Sequence, residues 1–170
     1  MQFSLSNADI KTFLHSGSLA LEEVISKEEA SLLSFKSKER DPHRTNLPLS
    51  RLVSSRRLSL MAANLTHTEH LRIAFTEWSE GPLKPLTEWS SIQPLTIALL
   101  LQPDRSALFI NPTIPLEIPP GLLIVYAPLI ALYTYNPLDL YVHELKKYGY
   151  AFGDRLGNHT HPLVCKDFFS

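Results

Sequence analysis

From Ile92 to Leu138 the chain carries only Asp104, Arg105 and Glu117 as charges. Its apolar runs are short and are broken by Pro103, Pro112, Pro115, Pro119, Pro120 and Pro128. Proline interrupts a helix and is tolerated only at the ends, bulges and edges of strands, so short buried strands are predicted here. They are Pro94 to Gln102, Ala107 to Ile110, Leu122 to Ala127 and Leu129 to Tyr135. The stretch from Ile118 to Leu138 has no charge and approaches the roughly 20 residues a membrane-spanning helix needs. Pro128 divides it, however, and Val125, Tyr126, Ile130, Tyr133 and Tyr135 are strand formers. Two strands meeting at Pro128 are expected, not a membrane span.

The N-terminal half follows a different period. Ser6 and Asp9 make a capping-box-like pair ahead of Ile10, Phe13 and Leu14, with Gly17 as the stop. Ser18 to Ile25 reads as a strand. Ser26 and Glu29 cap a second helix that carries Ala30, Leu32, Leu33 and Phe35 and ends near Lys38. Leu49, Leu52, Val53, Arg56 and Leu60 recur at helical spacing. Leu71, Ile73 and Phe75 alternate with polar or small residues, which predicts a strand from about His70 although Thr66 to Glu69 fits a capping box. Asp139 to Tyr148 reads as a helix stopped by Gly149, and Leu163 to Lys166 as a last strand. Helices followed by many short strands give an α+β class, with N-terminal helices packed on a β-rich sandwich or jelly roll. No repeat or linker divides the chain, so residues 1–170 are expected to form a single domain.

Composition narrows the function classes. Sixteen Lys and Arg against 17 Asp and Glu point to no polyanionic or membrane partner. The only cysteine, Cys165, excludes a disulfide framework and a paired-cysteine metal site, and suggests a reducing, cytoplasmic setting. Lys36 to Arg57 holds seven basic residues against Glu39 and Asp41. Few aromatics are interleaved with them, so a solvated basic loop is expected rather than a nucleic-acid surface.

His67-Thr68-Glu69 is the sharpest chemical candidate. A histidine and a carboxylate two residues apart at a strand edge can face one Fe(II), with a later histidine, formally His143, as third ligand. Arg155 could then hold the carboxylate of a 2-oxoacid bidentately. The plain alternative makes Glu69 a turn cap and His67 a surface residue. His159-Thr160-His161, flanked by Asp154 and Cys165, is a weaker metal candidate. Gly149 to Gly157 concentrates three glycines with Tyr150, Phe152, Asp154 and Arg155, which suits a ligand or partner contact as well as a structural turn. Trp78 and Trp89 flank a Gly81-Pro82 turn and with Gln93 could line a pocket. Phosphate-loop and nucleophile-elbow motifs are absent.

Phe13-Leu14-His15-Ser16-Gly17, then Leu19 to Glu29, and the strands Thr96 to Gln102 and Leu122 to Tyr135 resemble the phytanoyl-CoA dioxygenase branch of the 2-oxoglutarate oxygenases. Ser91-Ile92-Gln93 and Gly149 to Asp154 are similar to a group of uncharacterised proteins of the chlamydial kind. The resemblance implies a double-stranded β-helix core and, in a working member, Fe(II) and 2-oxoglutarate. The family's H-x-D motif is at best His67-x-Glu69 here, which implies a degenerate metal site. The expectation is therefore a non-catalytic jelly-roll module without a resident cofactor, binding a small molecule or a protein. An Fe(II)/2-oxoglutarate-dependent hydroxylase is the alternative, and a weak nucleic-acid binder through residues 36–57 is a further one.

Overall fold

The structure, a computed structural model, describes residues 4–34 and 39–165. Helix α1 (Asn7–Ser16) begins on Ser6, whose hydroxyl accepts from Asp9 N–H while the Asp9 carboxylate accepts from Ser6 N–H. It ends on Gly17, left-handed at φ 81°, where a side chain is disfavoured. Strand β1 (Ser18–Leu21) follows directly. Helix α2 (Lys27–Ser31) has the predicted Ser26–Glu29 box and continues as a 3-10 turn to Ser34. Its predicted end at Lys38 lies outside the described residues. The expected single helix across residues 49–60 is two, α3 (Leu47–Val53) and α4 (Arg56–Thr66), because the Ser55 hydroxyl caps a new start by accepting from Leu58 N–H.

Strands β2 (Leu71–Leu83), β4 (Ile97–Leu101), β5 (Ala107–Ile110), β6 (Leu116–Pro128) and β8 (Leu163–Cys165) join β1 in one antiparallel sheet of order β1-β5-β4-β6-β2-β8. A separate pair is made by β3 (Ile92–Gln93) and β7 (Leu132–Tyr133). A short helix, α5 (Leu86–Trp89), leads from β2 into β3. Side-chain alternation gives the large sheet two apolar faces. Ile97, Leu99, Leu101, Leu122, Ile124 and Tyr126 pack under the helices, against Phe13, Leu58 and Met61. Ala98, Leu100, Leu123 and Val125 pack on the other face, against Phe75, Ile92 and Tyr133. A strand buried on both faces reads as an unbroken apolar run, and this explains the charge-free core segment.

Three expectations are corrected. The 13-residue strands β2 and β6 run through Gly81-Pro82 and through Pro119-Pro120, where turns were expected. Their register slips there, Ser79 facing Gly121 but Gly81 facing Ile118, so the two prolines sit in a bulge that needs no N–H from them. The second strand of the expected pair at Pro128 shrinks to Leu132–Tyr133, because Ala131 N–H turns back to Pro128 O. Asp139 to Tyr148 is not an α-helix but turns followed by a 3-10 segment, Glu144–Tyr148. There the Asp139 carboxylate competes for backbone donors, accepting from Tyr141 N–H at 2.8 Å and Ser91 N–H at 3.0 Å. The strand expected from about His70 is present as β2 from Leu71, after His67, at φ 55°, ends α4.

Candidate functional site

A buried polar group lies between the large sheet and the β3-β7 pair, built around Arg40. Asp41 brings the segment there. At φ 58° its N–H donates to Thr76 O (2.8 Å) and its carboxylate accepts from Thr76 N–H (2.9 Å), closing the edge of β2 that β8 leaves unpaired. The Arg40 guanidinium then enters between the sheets, 3.8 Å from the ring centre of Phe75 and 4.3 Å from that of Tyr141. Glu77 lies 3.4 Å from its Nε, and Asp139 4.0 Å from Nη2. The side chain is only 7% exposed. Neither nitrogen makes a directed hydrogen bond among the described residues, and the buried Ser91 hydroxyl beside it also has no partner there. Burial pushes the Glu77 carboxyl above its ordinary range, and the Arg40 charge only partly offsets it. About 20 Å³ of space remains around Arg40, Ser91, Tyr133 and Asp139, room for about one water.

Outside this plug, a cleft of about 450 Å³ opens between the end of β2 and the 138–141 turn. Leu83, Trp89, Leu138, Leu140 and Tyr141 supply its apolar walls, and Glu77, Lys84, Glu88 and Asp139 its polar groups. Leu138 and Leu140 are 68% and 94% exposed, apolar side chains held open to solvent at its rim. The indole N–H of Trp89 is tied back to Lys84 O at 3.3 Å, leaving the ring as a wall.

A second polar group lies beyond Asp41. His43 Nδ1 meets the Thr76 hydroxyl at 2.7 Å, and Arg44 contacts the Asp41 carboxylate and His161 Nε2. A guanidinium can only donate, so His161 Nε2 accepts and its proton sits on Nδ1, which donates to Thr160 Oγ1 at 2.8 Å. Thr160 in turn meets the Tyr150 hydroxyl, which accepts from Gly157 N–H. Arg72, 2% exposed, donates to His161 O and Asn158 Oδ1. His161 is held neutral, its pKa lowered to about 3 first by burial and then by Arg44, Arg72 and His43.

The predicted site residues are distributed over these parts. Trp89 lines the cleft, whereas Trp78 packs on the helical face of the sheet. Gln93 turns its amide inward onto Thr87 O and Ser90 O. Tyr150 belongs to the His161 network, Phe152 stacks beside Tyr133 and Tyr135, and Asp154 accepts from Ala151 N–H. His67 ends α4, Glu69 lies 4.0 Å from His70, and His143 precedes the 3-10 turn near the Phe152 ring. Exposed Arg155 bridges Leu132. Exposed His159 and buried His161 do not share a face. Among the described residues no three of His, Cys, Asp and Glu come together as a metal-binding group. Of the expected solvated basic loop, Arg51 and Arg56 are exposed, whereas Arg40 is buried, Arg44 pairs with Asp41 and Arg57 with Glu29; Lys36 and Lys38 lie outside the described residues.

The site-building residues Arg40, Glu77, Asp139 and Tyr141 were not singled out from sequence. The one signal was Glu77, a carboxylate two residues after Phe75 in a strand that buries that face.

Comparison with solved structures places the architecture. It aligns with the non-haem α-ketoglutarate-dependent carbocyclase SnoK of nogalamycin biosynthesis over 95% of this chain and 97% of that one, at TM-score 0.74 and 12% identity. The fold is that of the non-haem 2-oxoglutarate-dependent enzymes. The epimerase SnoN of the same biosynthesis aligns at TM-score 0.67 and 12% identity, over 92% of this chain and 97% of that one. CT296 from Chlamydia trachomatis aligns at TM-score 0.56 and 16% identity, over 75% of this chain and 98% of that one. No protein-family profile matches the chain, and no curated protein sequence does. SnoN has been solved with Fe3+ and α-ketoglutarate bound. In this chain the described residues of the inter-sheet space put a guanidinium between aromatic rings, with no histidine among those that line it. Among the described residues no helix is long and apolar enough to cross a membrane.

Proposed function

We propose that the chain is a non-catalytic binding module on an oxygenase-type fold, taking a small molecule in the cleft beside Trp89. The observation that carries this reading is the contrast between two adjoining spaces. The inner one is filled by Arg40 to about 20 Å³, too small for a metal with an organic co-substrate. The outer one, at about 450 Å³, lies within the roughly 300–1,000 Å³ usual for ligand pockets and has their apolar walls with a few polar groups.

The test is calorimetric titration with Mn(II) as an inert stand-in for Fe(II), then with 2-oxoglutarate, followed by a thermal-shift screen of small molecules. The module reading expects no stoichiometric metal and a ligand whose shift is lost in Leu140→Asn, a neutral polar change at the rim that disturbs no buried contact. Stoichiometric Mn(II) binding that His67→Ala abolishes would overturn it.

The likeness of fold to SnoK and SnoN favours a second reading, an Fe(II)/2-oxoglutarate-dependent hydroxylase. That reading takes His67, Glu69 and His143 as the metal ligands and Arg155 as the co-substrate anchor, and it requires those three side chains, which do not form a metal-binding group among the described residues, to be brought together. Metal retained by His67→Ala would sink it.

A further inference from the structure

We propose that the cleft takes a small organic monocation with a flat apolar body, such as an arylalkylamine. This rests on the binding-module reading and supplies its ligand chemistry.

Three carboxylates, Glu77, Glu88 and Asp139, line the cleft against the single cation Lys84. The Arg40 guanidinium behind the wall answers part of that charge, and one negative charge is left over. Two of the apolar walls, Trp89 and Tyr141, are aromatic, and such faces attract cations through the negative potential over the ring. Leu83, Leu138 and Leu140 leave the rest of the volume dry and suited to a hydrocarbon or aromatic body.

The protein already shows this preference one layer further in. Arg40 lies between the rings of Phe75 and Tyr141, 6.0 Å from that of Trp89, and next to the same Glu77 and Asp139. The cleft thus shares two rings and two carboxylates with a site that holds a planar cation. Glu77 is the joint between them: its side chain is 19% exposed, and burial raises its proton affinity because Arg40 compensates it incompletely. A cation arriving from the cleft side would meet that deficit. Anionic ligands would instead face three carboxylates in a partly desolvated cleft, which disfavours them.

The experiment uses the full chain and three probes of one shape: tryptamine (cation), 3-methylindole (neutral) and indole-3-propionate (anion). Binding is followed by the indole N–H resonances, with Trp89 in the cleft and Trp78 on the opposite face as internal control. Tryptamine is expected to bind most tightly and to move Trp89 but not Trp78, with indole-3-propionate weakest. Glu88 is exposed, so Glu88→Gln should fold, and it is expected to weaken tryptamine by about threefold to fivefold, as one partly exposed ion pair would. It should leave 3-methylindole unchanged. Equal binding of all three probes at Trp89 would overturn the charge preference and leave the module standing. Absence of binding by every probe would overturn both, and movement of Trp78 in place of Trp89 would overturn the location.

Discussion

Asp41 and Thr76 exchange two hydrogen bonds, N–H to carbonyl at 2.8 Å and N–H to carboxylate at 2.9 Å. A loop aspartate thereby pairs with β2 as a neighbouring strand would, where β8 no longer does. An unpaired edge exposes backbone donors and acceptors, so this pairing both satisfies the edge and orients its neighbours. Arg40 is directed inward between the sheets, and Arg44 towards His161.

Arg40 compensates two carboxylates that are mostly out of water. Arg40→Ala leaves Glu77 and Asp139 without that charge and is expected to destabilise the fold by about 3 kcal/mol, the usual cost of removing one partner of a buried pair. Glu77→Gln in the same chain removes one orphaned charge, so the double variant should recover about 1 kcal/mol relative to the sum of the singles. Urea midpoints of the four proteins measure this directly. Strict additivity would mean that Arg40 and Glu77 do not interact.

The neutral state of His161 makes stability depend on pH. Its folded pKa, about 3, lies below the ordinary 6.5, so below pH 6.5 the unfolded chain binds a proton that the fold does not. Its contribution is full above that point and lost as pH falls towards 3, at up to about 1.4 kcal/mol per pH unit. His43, also lowered mainly by burial, acts in the same direction. Denaturation at pH 7, 6 and 5 should show the loss, and His161→Gln should reduce it. In NMR the His161 ring should remain in the Nδ1–H tautomer without titrating across that range.

Tyr126 is wholly buried under the helices, and its hydroxyl has no partner among the described residues. A buried hydroxyl without a hydrogen bond costs free energy that phenylalanine avoids. Tyr126→Phe is therefore expected to stabilise the chain by about 1 kcal/mol, read as a higher urea midpoint with an unchanged slope. A lower midpoint would reveal a partner for that oxygen.

Gly121 lies where β6 packs against the end of β4. A Cβ there would stand 2.5 Å from Leu101 O, a backbone atom that cannot rotate away. Gly121→Ala should cost about 2 kcal/mol or more through overpacking. The same change at Gly153, where nothing lies within 4 Å but φ is 97°, separates crowding from backbone strain. Melting curves of the two variants should show the larger loss at Gly121.

Local chemistry was readable from the chain alone. The Ser6–Asp9 and Ser26–Glu29 boxes and the Gly17 stop depend on residues within three or four positions, so their spacing is their geometry. Strands β4 and β5 were visible because burial on both faces leaves apolar runs that proline breaks into short lengths. The α+β class followed from that contrast. Hidden were the features that a partner distant in sequence determines. Pro119-Pro120 reads as a turn until β2 supplies the bulge that tolerates it, and Asp139 reads as helical until Ser91 claims its carboxylate. The cleft chemistry belongs to the same class. Arg40, Glu77 and Asp139 each look like an ordinary charge in the sequence, because the three that meet in space lie 37 to 99 residues apart along the chain. Only the folded sheet, with Asp41 tied to Thr76, places a guanidinium between two rings and two acids. Burial and charge pairing there are properties of the assembled space, which no single stretch of chain contains.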